Sequence, residues 1–246
     1  MSSKSKQSRL LPNRKLIRRY LNETQNVCMR EYYGSSWQDR IRSWIFRQRY
    51  SLVLRLISKY KVKVNRILDV GSGPMFIAHS LIMEFNAGYV GVDLLPRSEL
   101  RKYTRVLELS TGRRIDVVRA SAEYLPFRDK VFDSSLSLDV LEHLQRPQAA
   151  MNEMNRVVNG NIIVSVPIEN TFQKVARLPI LLSEGTLKDP TPEYHYIGPF
   201  KSYREMWEKL LRKICLRSEY APFGMIHKES FNFYAIHLCR TRNNKS

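Results

Sequence analysis

Short apolar runs alternate with amphipathic stretches through the middle of the chain. Arg66–Val70 reads as a buried strand that runs into Gly71-Ser72-Gly73. Tyr89–Asp93, Ile115–Arg119, Phe132–Leu138 and Asn161–Val166 read as four further strands. Between them, Met75–Phe85, Ser98–Leu109 and a segment from Gln148 to Val157 carry helical spacing. This alternation predicts an α/β fold, Rossmann-like, with a mostly parallel sheet and helices on both faces. Lys201–Lys213 reads as another helix. The strand-like stretches at 214–221 and 231–239 flank a turn-rich segment and predict an antiparallel C-terminal hairpin at the sheet edge.

Upstream, Asn13–Arg30 reads as a basic helix, broken by Tyr32, Tyr33 and Gly34. Ser36 with Asp39 three residues later marks a new helix start. Trp37, Ile41, Trp44, Ile45, Leu52, Leu56 and Tyr60 then recur at helical spacing, with Arg40, Arg47 and Lys59 on other sides. This predicts a long amphipathic helix ending near Tyr60. The chain divides into a basic helical N-terminal extension (1–63) and an α/β domain (64–246), with a proline-bearing insertion at 168–200.

Composition narrows the class. The chain has 246 residues, 43% hydrophobic and 26% charged, values of an ordinary folded domain that exclude wholesale disorder. Charge is uneven. Lys and Arg number 41 against 23 Asp and Glu, a formal net charge of +18. Residues 1–66 carry +14, residues 67–200 carry −2 and residues 201–246 carry +6. The ends could steer the protein to RNA, DNA or an anionic membrane surface, or be solvated basic faces. No apolar run reaches the roughly 18 residues of a membrane span, and no apolar block follows the basic N-terminus, which points away from a secretory signal. Cys28, Cys215 and Cys239 are far apart with no CxxC pair. That argues against a disulfide framework or zinc site and makes a reducing, cytoplasmic setting the default.

The sharpest local signal is Ile67-Leu68-Asp69-Val70-Gly71-Ser72-Gly73-Pro74. Two glycines let the backbone approach a ligand closely, and the helix that follows offers free N–H groups to a negative group. Asp93 follows Gly73 by twenty residues, at the end of the second strand. A carboxylate there can accept both ribose hydroxyls of an adenosine ligand. A dinucleotide fingerprint needs a third glycine where Phe76 stands, and a GxxxxGK loop is absent. A tight turn without a ligand is the competing reading.

From here the sequence resembles the class I S-adenosylmethionine-dependent methyltransferases of the type 11 group. The resemblance covers about residues 64–168 and rests on ordered motifs: ILDVGSGP, YVGVD, ASAEYLPF, FDSSLSLDVLEHL, MNEMNRVV and IIVSVP. It implies S-adenosyl-L-methionine as cofactor. Asp69, Gly71, Ser72 and Gly73 would border its methionine half, Asp93 and Leu94 its ribose, and Ser121, Ala122 and Glu123 its adenine. Leu138 and Asp139 would lie near the sulfonium and the acceptor. Two departures stand out: the third glycine of the turn is Met75, and the aspartate before Ala-Glu is Ser121. A serine hydroxyl holds an adenine amino group more weakly than a carboxylate does.

Methyl transfer from a sulfonium is an in-line displacement, so the protein must align the nucleophile and, for an oxygen nucleophile, remove a proton. Asp139, Glu142 and His143 form a D-x-x-E-H group after the fourth strand. It is similar to the E-x-x-E-H stretch of ubiquinone-pathway O-methyltransferases, where a metal assists. Asp139 with Glu142 or His143 would share a helical face, giving a base or a divalent-metal site; the alternative is a purely structural role. His143 and His195 are the candidate catalytic histidines, His195 lying in the insertion beside Tyr194 and Tyr196. Tyr32, Tyr33 and Trp37 either cover the cofactor or pack a core. The [DN]PP[YF] motif of adenine-amino methyltransferases is absent, and no cysteine sits where a 5-methylcytosine enzyme needs its nucleophile. The expected acceptor is a small-molecule or lipid-like compound under the 168–200 cap. The alternatives are an RNA held by the basic extension, or a non-catalytic binding protein on the same fold.

Overall fold

The computed structural model describes residues 49–167, 217–221 and 234–241. The extension before residue 49, the 168–200 insertion and the helix expected at 201–213 lie outside the described residues.

A helix, α1 (residues 49–59), leads into β1 (Arg66–Val70). Then come α2 (Ala78–Phe85), β2 (Gly88–Asp93), α3 (Arg97–Thr111), β3 (Asp116–Arg119) and β4 (Phe132–Leu138). A 3-10 turn at Leu141–His143 precedes α4 (Pro147–Val157), β5 (Val158–Pro167), β6 (Arg217–Ala221) and β7 (Tyr234–Arg240). The seven strands form one sheet in the order β3-β2-β1-β4-β5-β7-β6. The first five are mutually parallel. β7 runs antiparallel to both β5 and β6. The expected hairpin is therefore present, with β7 seated inside and β6 at the edge.

Alternation along the strands divides the core between the two faces. Ile67, Leu136, Ile163, Ile236 and Leu238 join one cluster; Leu68, Val70, Ile162, Val164 and Cys239 join the other. The first face is covered by α1 (Val53, Leu54, Leu56, Ile57), α2 (Ala78, Leu81, Ile82) and α3 (Leu100, Tyr103, Val106, Leu107). The second is covered by α4 through Ala150, Met151, Met154 and Val157. Each set follows the i, i+3, i+4 spacing of a one-sided helix. Residues before β1 thus share the core of the sheet domain.

Two boundaries differ from the sequence reading. α2 begins at Ala78, not Met75, because Gly71, Gly73 and Met75 all adopt positive φ, which no α-helix accommodates. β5 begins at Val158, directly after α4, so the strand is longer than Asn161–Val166. Cys239, buried on β7, is disulfide-bonded; Cys28 and Cys215 lie outside the described residues. The wide spacing of the cysteines argues against a disulfide framework; a single bridge remains possible because distance along the chain does not set distance in space.

Arg156 ties the connection from β3 to β4 onto α4. Arg156 donates from Nη1 to the Phe127 carbonyl and Asp129 Oδ1, both at 2.8 Å, and from Nη2 to the Leu125 carbonyl at 2.9 Å. Its Nε and Nη2 also grip Glu153 at 2.7 and 2.8 Å, and Glu153 accepts the Leu125 N–H at 2.8 Å. A lysine has no planar fork to span these acceptors. Arg156→Lys is expected to lower stability by about 1–3 kcal/mol, read as a shift of the urea midpoint with unchanged slope.

Candidate functional site

The first five strands end together at one edge of the sheet, and the sequence-selected residues gather there. β1 gives way to a bend in which Gly71, Gly73 and Met75 have φ of +72°, +47° and +57°. The Val92 carbonyl of β2 accepts the Gly71 and Ser72 N–H groups at 2.8 and 3.0 Å. A Cβ on Gly71 would stand 2.2 Å from Val140 Cγ2, so glycine is required there by space as well as by φ. A Cβ on Gly73 would meet nothing within 4 Å: that position faces open room. Met75 keeps the left-handed backbone of the glycine it replaces and is fully buried in the first core cluster. Anchoring that side chain offsets a local cost of about 1–2 kcal/mol.

Asp93 closes the other side of the bend. Its Oδ2 accepts the Gly73 N–H at 2.7 Å and its Oδ1 the Leu95 N–H at 2.9 Å. The carboxylate therefore lies on the same edge as the glycine bend. Leu94, beside it, is exposed. Asp69 is buried at the end of β1 and accepts the Tyr89 hydroxyl at 2.6 Å. Burial pushes its carboxyl up to about 7; the Tyr89 hydrogen bond opposes this, and the charge of Asp93 adds to it.

Ser121, Ala122 and Glu123 follow β3 on the same edge. Ser121 Oγ accepts the Glu123 N–H at 3.2 Å and so closes the turn itself. Glu123 is clamped by Arg146, which donates its backbone N–H to Oε1 at 3.2 Å and its Nε to Oε2 at 2.9 Å. Ala122 is buried in the second core cluster.

Leu138, half-buried, ends β4. Asp139 follows in a left-handed conformation, φ +58°. Its Oδ1 accepts the Ser165 hydroxyl at 2.8 Å, and its Oδ2 forms an ion pair with Arg49 of α1. Arg49 is only 2% exposed and also donates to the Tyr50 hydroxyl at 3.2 Å. The D-x-x-E-H group does not share an α-helical face as expected. The left-handed step at Asp139 and the 3-10 turn at 141–143 break that periodicity. Glu142 is buried, with Oε2 lacking a hydrogen-bond partner, while His143 is exposed. Among the described residues no three His, Cys, Asp or Glu side chains gather in a metal-binding group. His195 lies outside the described residues, as do Tyr32, Tyr33 and Trp37.

Arg49, Tyr89, Val140, Arg146 and Ser165 were not singled out from sequence. Arg49 had a readable signal. It falls at i+4 from Ile45 and i−3 from Leu52, inside the apolar stripe of its helix, where a charge must find a buried partner.

Residues 68–164 match the family described as "Methyltransferase domain". Over that stretch the chain resembles a methyltransferase domain. Curated relatives cover the same stretch. A methyltransferase of uncharacterized role from Mycobacterium tuberculosis (strain ATCC 25177 / H37Ra) is 38% identical over 99 residues, 40% of this chain and 37% of the relative. One from Mycobacterium leprae (strain Br4923) is 39% identical over 103 residues, 41% and 36% of the respective chains. The match thus spans little more than a third of these relatives' length. Solved structures extend the likeness of fold beyond that stretch. Magnesium protoporphyrin IX methyltransferase from Synechocystis PCC 6803, with bound SAH, superposes with TM-score 0.55 at 16% identity, covering 93% of this chain and 94% of that one. A protein from Pyrococcus horikoshii OT3 gives 0.58 at 19% identity, covering 87% and 96%. No helix of the described residues is long and apolar enough to cross a membrane.

Two predictions follow from this geometry. Gly71→Ala meets both a wrong φ and Val140, and should cost about 2–4 kcal/mol; Gly73→Ala meets only φ and should cost about 1–2 kcal/mol. Chemical denaturation of the two variants side by side checks the difference. The second concerns pH. Burial pushes the Glu142 carboxyl up to about 8, partly opposed by a hydrogen bond to its own backbone and by Arg49. A carboxyl whose folded pKa exceeds its unfolded value holds its proton more tightly when folded. Its contribution is complete below the unfolded pKa and is lost as pH rises through the folded one. Glu142→Gln should abolish a loss on the order of 1–4 kcal/mol between about pH 5 and pH 9, leaving the smaller slope due to Asp69. Urea denaturation across that range measures it.

Proposed function

We propose that this chain transfers the methyl group of S-adenosyl-L-methionine to an acceptor beyond the carboxyl ends of β4 and β5. The carrying observation is the Asp93 carboxylate turned onto the Gly73 N–H at 2.7 Å, next to a glycine whose Cβ position is open. That is a cradle for a ribose beside a backbone that lets a ligand approach closely. The likeness to a methyltransferase structure with bound SAH supports the same cofactor.

Asp93 would hold the ribose, with Leu94 beside it. Asp69, Gly71, Ser72 and Gly73 would border the methionine half. Ser121, Ala122 and Glu123 would flank the adenine, the Arg146 clamp fixing that wall. Leu138 and Asp139 would face the reacting end. When bound, the cofactor supplies an electrophilic methyl group on a sulfonium, so the chain's own task is alignment and exclusion of water. Asp139 reaches this point with both oxygens engaged, by Arg49 and Ser165. It is thus suited to fixing the end of β4 rather than to taking a proton. Glu142 and His143 sit one turn further on. A base from this group, or His195 from the insertion, serves only an acceptor that must lose a proton.

We assign a small-molecule or lipid-like acceptor, supported by the missing adenine-amino and cytosine-methylation signatures. RNA is the second reading, favoured by the +14 carried on residues 1–66. Labelled cofactor incubated with fractionated cell extract separates them by the fraction that takes up label. The cofactor assignment has its own test. Asp93→Asn should weaken S-adenosylmethionine binding by roughly 10–100-fold in calorimetry, the loss of a charge-assisted hydrogen bond. Unchanged affinity, or no binding by the unaltered protein, would sink the assignment.

A further inference from the structure

The near-neutral middle of the sequence conceals a local excess of charge. Residues 97–119, comprising α3, the following turn and β3, hold seven basic and three acidic side chains. α3 buries Leu100, Tyr103, Thr104, Val106 and Leu107, so the opposite side faces water. Arg97, Arg101 and Arg105 stand there at successive i, i+4 positions, all exposed, with exposed Lys102 alongside. That spacing repeats a guanidinium roughly every 6 Å within about 80° of the helix circumference.

The acids of this segment are already engaged. Glu99 pairs with Lys102 at 3.3 Å and accepts the Tyr103 hydroxyl at 3.3 Å. Glu108 accepts the Ile115 N–H at 3.0 Å, and Asp116 pairs with Arg114 at 3.3 Å. Among the described residues, Arg97, Arg101 and Arg105 meet no carboxylate. β3 is the edge strand of the sheet. There Arg119, also exposed, donates to the Leu94 carbonyl at 3.2 Å, tying the strand to the loop after Asp93. The cationic strip therefore begins beside the candidate site and runs back along α3.

We infer that α3 and the edge strand β3 form a docking surface for the phosphodiester backbone of a nucleic acid. Six of the seven cations are arginines, whose planar fork matches a phosphate with two parallel hydrogen bonds. A membrane fits less well. A helix that lies in the lipid interface buries an apolar face among the acyl chains. The apolar face of α3 is spent in the core, and Leu109 is the large apolar side chain left on its outer side. Regularly spaced cations suit contact with the phosphate backbone, which is independent of sequence.

The surface does not depend on which acceptor is methylated. Its test uses the full chain, a labelled short RNA duplex of random sequence and the matching DNA duplex, titrated over a range of salt. The triple variant Arg97→Gln, Arg101→Gln, Arg105→Gln should bind roughly tenfold or more weakly at physiological salt. Its plot of log affinity against log salt should be shallower by roughly 2–3. RNA and DNA should respond alike. Arg55→Gln with Lys61→Gln and Lys63→Gln removes the same charge from exposed positions elsewhere and should leave the slope nearly unchanged. Should the triple variant melt early, Arg101→Glu alone carries the test. The inference is overturned if the unaltered protein does not retain either duplex, or if both triple variants lose affinity equally. It is also overturned if the arginine variant loses binding to phosphatidylserine vesicles but not to the duplexes. Methyl incorporation is scored separately: a duplex bound here but never labelled keeps the surface and removes nucleic acid as acceptor.

Discussion

The hydrogen bond from the Gly73 N–H to the Asp93 carboxylate is the constraint around which this edge of the molecule is arranged. It forms because β1 and β2 are parallel neighbours whose register sets Val70 against Val92. The two chain ends then leave the sheet side by side. One turns back through residues at positive φ; the other ends in a carboxylate. Neither part suffices alone. Gly71 can bend there because it has no Cβ, and Val140, after β4, already occupies the space a side chain would need. Met75 can stay left-handed because the core holds its side chain. The site is a consequence of strand order before it is a consequence of site residues.

Electrostatics at the same edge are contained rather than displayed. Asp69 is buried with a raised pKa, Glu142 likewise, and Asp139 is neutralised by Arg49. Asp93 stands apart as a half-buried carboxylate on backbone donors, a state suited to recognising hydroxyl groups. The division is between carboxylates that shape the wall and one that faces outward.

The parallel strands were legible because each is a short apolar run closed by polar or glycine residues, and alternation with helices leaves few ways to order them. The bend and Asp93 were legible because a β-strand, two glycines and a later carboxylate keep fixed spacings. What escaped had no fixed spacing. Arg49 lies ninety residues from Asp139, and only the packing of α1 on the sheet joins them. The spacing of Asp139 with Glu142 or His143 allows a common helical face; the left-handed step at Asp139 and the 3-10 turn after it break that face. The basic strip on α3 was averaged away by counting charge over a long window, in which acids on other surfaces cancelled it.

The Arg49–Asp139 pair has a consequence for how the chain can be divided. The boundary suggested by the change in sequence character falls near residue 64, after α1. A protein begun there would lose Val53, Leu54, Leu56 and Ile57 from its core. It would also leave Asp139, just past the end of β4, without its guanidinium. Such a fragment could keep its sheet yet present a bare negative charge where the intact chain presents a neutralised one. Any shortened form meant to report on acceptor choice therefore has to start upstream of α1.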